Sequence, residues 1–470
     1  MNRNEEYESL LEEFEETPVK LDFTLDRARA RRAGHRRRIR KAVFTPLGTV
    51  AAVLAVFMLL VNISPTFAYA AGRVPMLRDL AKFVALSPSL SAAVENEYVQ
   101  PMGLEQTADG ITAKIEYVIV DLKQLNIFYT LSSATGQSVE SSPEISGGDG
   151  SAMEGFSIMY SGPGEKDDSL RKITVDFSEG TMPDSLTLTL LVYPSRFPEN
   201  SEMSSAPAHV SEYDYFFETD SAQPEVLTQL SFKLRFDPTY TDAGEIIPLD
   251  ARFTLDGQEL TLVSAEIYPT HMRFVFDDSE SNTAWLESLG FYVENEKGER
   301  FEGISNGVSA FGKPDSPMMA TYMLESAFFS KSKHLTLHIT SAVWLDKNME
   351  RVRLDLDAVT AEALPEGVEF VSTERRDEGW LLEFTAEAYR ENFSHQVWQS
   401  VYYDSQGEKH NIDSYSFSSV GSGYSPGREI KENSFGIMLP LKDYFADEVW
   451  LCPSYSRYTV QAEPVILPIK

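Results

Sequence analysis

At 470 residues the chain is long enough for about three domains of roughly 100–200 residues each, and its 42% hydrophobic and 24% charged content is that of folded protein. Asp and Glu outnumber Lys and Arg by 72 to 41, a net charge of −31, which argues against nucleic acid as the main partner because phosphate binding needs a basic footprint. The single cysteine, Cys452, excludes an internal disulfide framework and a Cys-based structural zinc site.

The first 41 residues carry organised patterning. Tyr7, Leu10, Leu11 and Phe14 fall at i, i+3, i+4 and i+7, an apolar stripe on a helix otherwise rich in Glu5, Glu6, Glu12, Glu13 and Glu16. Thr17-Pro18 ends that helix, and Leu21, Phe23 and Leu25 add apolar residues beyond it. The stripe predicts a short amphipathic element docking into the hydrophobic groove of a partner, with an acidic flank suited to a basic protein. Its alternatives are self-association or rest on the membrane surface, and the glutamates disfavour the latter beside an anionic leaflet.

Between Arg27 and Lys41 lie nine basic side chains and no acid, among them Arg36, Arg37, Arg38, Arg40 and Lys41. Residues 42–72 then contain no charge at all, with an almost wholly aliphatic core from Leu47 to Ile63. About 20 apolar residues suffice for a helix to cross the hydrocarbon layer, and basic flanks stay on the cytoplasmic side. The expectation is a single transmembrane helix in contact with membrane lipid, the N-terminus in the cytoplasm and the rest extracellular. Ala68-Tyr69-Ala70 also fits a signal-peptide cleavage site; the 41 residues ahead of the span and its long apolar core favour a retained anchor. The split assigns the inner segment nine acids and eleven bases, and the outer region 63 acids and 30 bases. That acidic outer surface reads as solvation, with a cationic ligand as the sharper alternative.

After the anchor, residues 73–97 read as two short juxtamembrane helices. Leu77, Leu80 and Val84 lie on one face of the first, and Ser87-Pro88 opens the second as N-cap and N1. From about Tyr98 the period changes to two: Ile111, Ala113, Ile115, Tyr117 and Ile119 alternate with Thr112, Lys114, Glu116, Val118 and Val120, the pattern of a half-buried strand. This strand opens a repeat. Asp109-Gly110, Asp256-Gly257 and Asp377-Glu378-Gly379 each precede an alternating run. A second strand begins 16, 15 and 17 residues past the glycine, at Asn126, Met272 and Gln396, and a late one 75, 77 and 69 residues past it, at Ser185, His334 and Glu448. Short strands between Gly, Ser, Asp and Pro clusters predict antiparallel, immunoglobulin-like β-sandwiches in tandem, at 98–235, 240–360 and 365–470. Their cores would include Tyr117, Phe274, Trp380, Phe384 and Trp398. Ser132–Gly150 and Pro198–Ala208 read as loops on the first.

Chemistry-bearing motifs are weak. His334 and His338 sit four residues apart in a predicted strand, a separation of about 13 Å that precludes chelation of one ion. Gly303-Ile304-Ser305-Asn306-Gly307 matches the nucleophile-elbow pattern but lacks the strand-to-helix setting that the elbow requires, so it reads as a loop. Ser330 to Lys333 matches S-x-x-K without companion motifs. Asp277-Asp278 with Glu280, and Glu165 with Asp167-Asp168, lack calcium-loop spacing. Cys452 reads as a small core residue. Phosphate-loop and dinucleotide fingerprints are missing from the sequence, so neither a catalytic nor a metal or cofactor site is expected, and an enzyme is not supported.

Residues 65–133, above all AAVENEYVQ and DGITAKIEYVIVDLKQLNIFYTL, resemble the bacterial membrane-protein family carrying the domain of unknown function DUF4179. The central sandwich is similar to a companion family, DUF5643. The resemblance covers about residues 40–350 and implies a membrane-bound antagonist of an extracytoplasmic-function sigma factor, which would make that factor the partner of the inner stripe. It carries no catalytic residues. Zinc-type anti-sigma domains use a His with Cys-x-x-Cys, and residues 1–41 hold His35 but no cysteine. The alternative is a structural or adhesive surface protein in which the repeats are spacers.

Overall fold

The computed structural model describes residues 75–160, 169–180, 182–195, 225–241, 243–313, 316–388, 396–412, 416–417 and 433–470. The inner stripe, the basic run, the expected span at 42–72, the acidic group at 165–168 and the loop at 198–208 lie outside the described residues. Among the described residues no helix is long and apolar enough to cross a membrane. The chain divides into two units at Asp79/Leu80. The first contributes only the opening of α1 (Pro75–Phe83) to the described residues, and the second holds the rest.

Helix α2 (Pro88–Glu95) starts where Ser87-Pro88 predicts, with Ser87 in extended conformation at the N-cap. Its Leu90, Ala93 and Val94 are buried, as are Leu80, Ala81 and Val84 at the end of α1. The rest is antiparallel β. The first sandwich pairs β1 (Gln100–Ala108), β2 (Ile111–Val120), β3 (Gln124–Ser133), β5 (Phe156–Tyr160) and β6 (Arg171–Phe177) in the order β1-β2-β3-β6-β5. Facing it are β4 (Val139–Gly147), β7 (Ser185–Pro194) and β8 (Thr228–Arg235), in the order β4-β7-β8. A short helix, α3 (Pro238–Thr241), leads on.

The second sandwich repeats this topology. Strands β9 (Glu245–Leu255), β10 (Gln258–Ile267), β11 (Met272–Asp278), β14 (Ala310–Gly312) and β15 (Met319–Leu324) pair as β14-β15-β11-β10-β9. Opposite lie β12 (Ala284–Asn295), β13 (Arg300–Phe301), β16 (Leu335–Asp346) and β26 (Arg457–Pro468), paired as β13-β12-β16-β26. Asp109-Gly110 and Asp256-Gly257 form equivalent two-residue hairpins. Both residues of each pair have positive φ, 50° and 77° in the first and 53° and 77° in the second, as a type I′ turn demands.

Both sandwiches also carry a β-bulge six residues past the glycine, where pairing skips Glu116 in one and Val263 in the other. A one-residue slip exchanges the faces of a strand. The inter-sheet core of the first sandwich accordingly takes Ile111, Ala113 and Ile115 and then Val118 and Val120, rather than the uninterrupted odd series that the sequence predicts. Tyr117 and Ile119 lie on the other face, and they too are buried. That face also carries Phe128, met edge-on at 6.0 Å by Phe83 of α1.

Strand β26 belongs to the second sandwich, whereas the sequence boundary at 365–470 puts it in the third. It runs along β16 from Trp344↔Arg457 to Thr336↔Pro468, and its Leu467, with Ile469 just beyond, enters the second core. The third sandwich is therefore an insertion between β16 and β26. Its sheets are β19 (Val368–Arg376), β20 (Gly379–Glu387), β24 (Ser434–Lys442) and β23 (Ser416–Phe417), and β18 (Thr360–Ala361), β17 (Val352–Asp355), β25 (Glu448–Pro453), β21 (Trp398–Tyr403) and β22 (Lys409–Asn411), each in pairing order. Here β24 lies directly against β20, the place held by β3 and β11 in the other units. The strand expected from Gln396, β21, pairs with β25 in the opposite sheet. Strand β17, from the start of the insert, takes the place beside β25 that β8 and β26 occupy beside β7 and β16. The third unit is thus a permuted copy. Phe274, Trp380, Phe384, Trp398 and Cys452 are buried, as expected, whereas Tyr117 is buried outside the inter-sheet core in which it was expected.

The chain crosses twice between the second and third sandwiches, and Ser456 ties the crossings. Its N–H donates to Trp344 O at 2.7 Å, and its hydroxyl accepts from Asp346 N–H at 2.9 Å. Asp256 of the second turn accepts from Trp344 Nε1 at 2.8 Å, Gln461 Nε2 at 2.9 Å and the Thr459 hydroxyl. Burial opposes the charge of Asp256, but these three bonds outweigh it and hold its carboxyl below the usual range. Deleting residues 457–470 is expected to unfold the second sandwich and spare the third. Hydrogen exchange should show protection lost across β9 to β16 and kept across β19, β20 and β24; the opposite pattern would overturn the insertion.

Candidate functional site

Buried polar residues gather where the structure brings α2, the first sandwich and the second together. Glu325 follows β15 and is 6% exposed, so its carboxylate must find donors within the protein. Oε2 accepts from the N–H of Ser89 at 2.8 Å and from the Ser89 hydroxyl. Oε1 accepts from Ser305 N–H at 3.0 Å and its hydroxyl at 2.8 Å. Ser326 N–H donates in turn to Ser89 Oγ at 2.6 Å. Ser89 is the second residue of α2, so the carboxylate takes an orphan N–H at the positive end of the helix. The Ser87 side chain makes no cap bond; a residue 236 positions from Ser89 does that work instead.

The loop from Gly303 to Gly307 that mimics a nucleophile elbow is the middle of this joint. Its Ser305 is held by Glu325, and Asn306 Nδ2 donates to Gln124 Oε1 of β3 at 2.7 Å. Gln124 Nε2 returns a bond to Asn306 O at 2.8 Å and another to Asp176 Oδ1 of β6 at 2.7 Å. Asp176 Oδ2 accepts from Val308 N–H at 2.8 Å. Gly307 has φ +115°, and a Cβ there would lie 2.5 Å from Asp176 Oδ2 and 2.8 Å from Gln124 Nε2. Only glycine lets this loop approach the first sandwich so closely.

A second contact joins equivalent hairpin ends. Asp121, past β2, accepts from the N–H of Thr270 at 3.0 Å and its hydroxyl at 2.6 Å through Oδ2, and from Lys123 and Gln124 N–H through Oδ1. The Thr270 hydroxyl spends its proton on Asp121, so at 2.8 Å it accepts from His271 Nδ1–H. Burial first, then the charges of Arg273 and Lys123, push His271 down to about 3. It is neutral at pH 7, and its 3.9 Å approach to Asp121 is not an ion pair. Burial raises Asp121 against the pull of its hydrogen bonds. Burial, with the Asp121 charge adding to it, lifts Asp176 to about 6 despite Gln124, Val308 and Arg273.

Beside the joint a cleft of about 520 Å³ opens between α2 and the second sandwich, with Glu95, Glu299, Arg300, Glu302, Phe301 and Phe329 on its walls. The other motifs are structural. His338 stacks on Tyr292 at 4.8 Å, and Lys313 sits 2.6 Å from Asp277 and 3.7 Å from Asp278, occupying that acidic pair. The joint residues went unread as a site in the sequence. The available signal was polar side chains in apolar strands, Gln124 and Asn126 beside Leu125 and Ile127, and Asp176 between Val175 and Phe177.

Glu325→Gln leaves one of the two donor pairs facing an amide, at an expected cost of about 1–3 kcal/mol. Lowered melting temperature together with faster exchange of the first α2 amides would register it; a melting loss without that faster exchange would remove Glu325 from its role as cap. Asp176 gives a pH signature. Its folded value of about 6 lies above its free value of 3.8, so the folded state holds the extra proton between them. Its contribution is then fully present at low pH and is lost as pH rises through 6. Relative to Asp176→Asn, the wild type should lose on the order of 3 kcal/mol between pH 4 and 7. His271, lowered instead, contributes the opposite slope over an overlapping range, so the difference between the two proteins, followed by denaturant titration, is the quantity to measure.

Residues 37–133 match the model described as Domain of unknown function (DUF4179), and residues 244–368 that described as Family of unknown function (DUF5643). No curated protein matches. The crystal structure of the conserved domain protein from Bacillus anthracis is similar at 12% identity and a TM-score of 0.37, covering 58% of this chain and 82% of that one, too distant to inform fold or function. The first match ends on the last residue of β3 and so takes in α1, α2 and the strand that bears Gln124; it shows a DUF4179 domain over residues 37–133 of this chain.

Proposed function

We propose that the chain is a single-pass membrane regulator that acts by binding rather than catalysis. Its stripe of Tyr7, Leu10, Leu11 and Phe14 holds an extracytoplasmic-function sigma factor, and the β-sandwiches sense a cue outside the cell. The observation that carries the reading is the continuity of one family match. It runs from within the basic flank, through the uncharged span, to α2 and the strands that meet at the joint. A protein used only as a spacer needs an anchor and a flexible linker. Here α2 is instead bound by its first turn to the second sandwich, and α1 just ahead of it meets the first through Phe83. Rearrangement at the joint would bear directly on the segment leading to the membrane. The arginines and Lys41 place the N-terminus inside, and the acidic stripe would compete with DNA for a basic partner.

The test is co-purification of the full chain with the extracytoplasmic-function sigma factors of the same genome, wild type against Leu10→Asp/Phe14→Asp. Two charges in an apolar groove should reduce recovery by about tenfold or more. Equal recovery of the two proteins would sink the stripe model, and no recovery with either would favour the adhesive alternative.

A further inference from the structure

The hairpin joining β21 to β22 carries three donors that the functional reading leaves unused. Its loop runs from Asp404 to Glu408 around Gly407 at φ +78°, and His410 pairs across the ladder with Tyr402. One ligand atom each from Asp404, Glu408 and His410 lies within 4.8 Å of the others, the single such His, Cys and carboxylate group among the described residues. The arrangement is more than an acidic loop because an imidazole nitrogen closes it. His410 Nε2 stands 3.5 Å from Asp404 Oδ2. That contact is a long hydrogen bond, stretched beyond the usual range of about 2.7–3.2 Å. Two ligands of one tetrahedral ion, with Zn–N of about 2.0–2.1 Å and Zn–O of about 2.0–2.2 Å, stand about 3.4 Å apart. The observed spacing is that of a tetrahedral edge.

The donors are also oriented. The His410 ring stacks on Tyr402 at 4.9 Å and 17°, and Tyr444 meets it at 6.0 Å on another side. Asp404 Oδ1 is engaged by the N–H groups of Gln406 at 2.9 Å and Glu408 at 2.8 Å, so Oδ2 is the oxygen turned to the imidazole. Those backbone bonds, from Glu408 first, with the His410 contact adding to them, hold the Asp404 carboxyl below the usual range. Glu408 is exposed, and its flexible side chain can close the third corner. All three belong to one hairpin, so the site forms as the hairpin forms.

We propose that Asp404, Glu408 and His410 bind one divalent transition-metal ion, Zn²⁺ foremost, on the third sandwich. One nitrogen and two carboxylate donors suit a borderline ion. Calcium wants six to eight oxygens, and copper(I) wants sulfur. Three protein ligands leave a fourth position for water or for a donor from a bound partner.

The experiment titrates Zn²⁺ into the solubilised full-length chain against a chromophoric chelator, for wild type, His410→Phe and Glu408→Gln. Phenylalanine preserves the stacking on Tyr402 while removing the nitrogen, and matched melting without zinc checks that it folds. The expected result is one ion bound by wild type, binding lost in His410→Phe and weakened about tenfold or more in Glu408→Gln. With zinc, exchange should slow across residues 404–410 in wild type alone. Wild-type affinity in His410→Phe, or no binding by wild type at micromolar zinc, would overturn the site.

Discussion

The pairing of β16 with β26 is the constraint on which the sandwich architecture rests. The second sandwich completes its sheet only when a strand from the far end of the chain comes back to it, so the third must form within the excursion. That requirement accounts for the permutation. A unit whose two ends must both face the same neighbour cannot keep its closing strand at its C-terminus. Strand β17 supplies that place from the N-terminal side, and β24 holds the place beside β20 that β3 and β11 hold in the other units. Two crossings tied by Ser456 and Asp346 restrain the third sandwich more than a single linker would, since a lone flexible connection leaves orientation free.

The joint at Glu325 is built on a different economy. Asp121, Gln124, Asn126, Asp176, Thr270, His271, Asn306 and Glu325 are all buried there. Burying such groups costs free energy unless every donor and acceptor is met. Most are met across a domain boundary, so the favourable geometry exists only when α2 and both sandwiches are in register. Apolar contacts alone would tolerate sliding. Asn306 Oδ1, one of the buried atoms left without a partner, sits on the loop that bridges the two sandwiches.

How far the sequence reveals this differs from element to element. The Asp-Gly turns, the aromatic core positions and the start of α2 at Ser87-Pro88 are legible because local rules decide them: positive φ, burial of large rings, and a proline at N1. The bulges at Glu116 and Val263 are not, since a bulge shifts phase without any marker residue. The sheet that β26 joins is illegible for a deeper reason, because pairing is chosen between distant segments of similar alternation. The Gly303–Gly307 loop matched an enzyme motif for the same glycine that its real role requires, close backbone approach. Asp404, Glu408 and His410 were visible as residues; only the hairpin ladder brings them together.

The joint also bears on what a sensing protein would need. A signal moves an equilibrium only by its differential affinity for two states, so the cost of the second state matters. Releasing Glu325 from Ser89 exposes a carboxylate that water can solvate and a helix N-terminus that water can cap. The net loss is therefore a few hydrogen bonds at about 1 kcal/mol each, far from the cost of stranding a charge in a dry core. Each 1.4 kcal/mol corresponds to about tenfold in affinity, so a ligand preferring the released state by about a thousandfold would suffice to open the clasp. Because the clasp is made by one carboxylate on the first turn of α2, opening it uncaps the helix without unfolding either sandwich, while Leu90, Ala93 and Val94 still hold the helix by apolar burial.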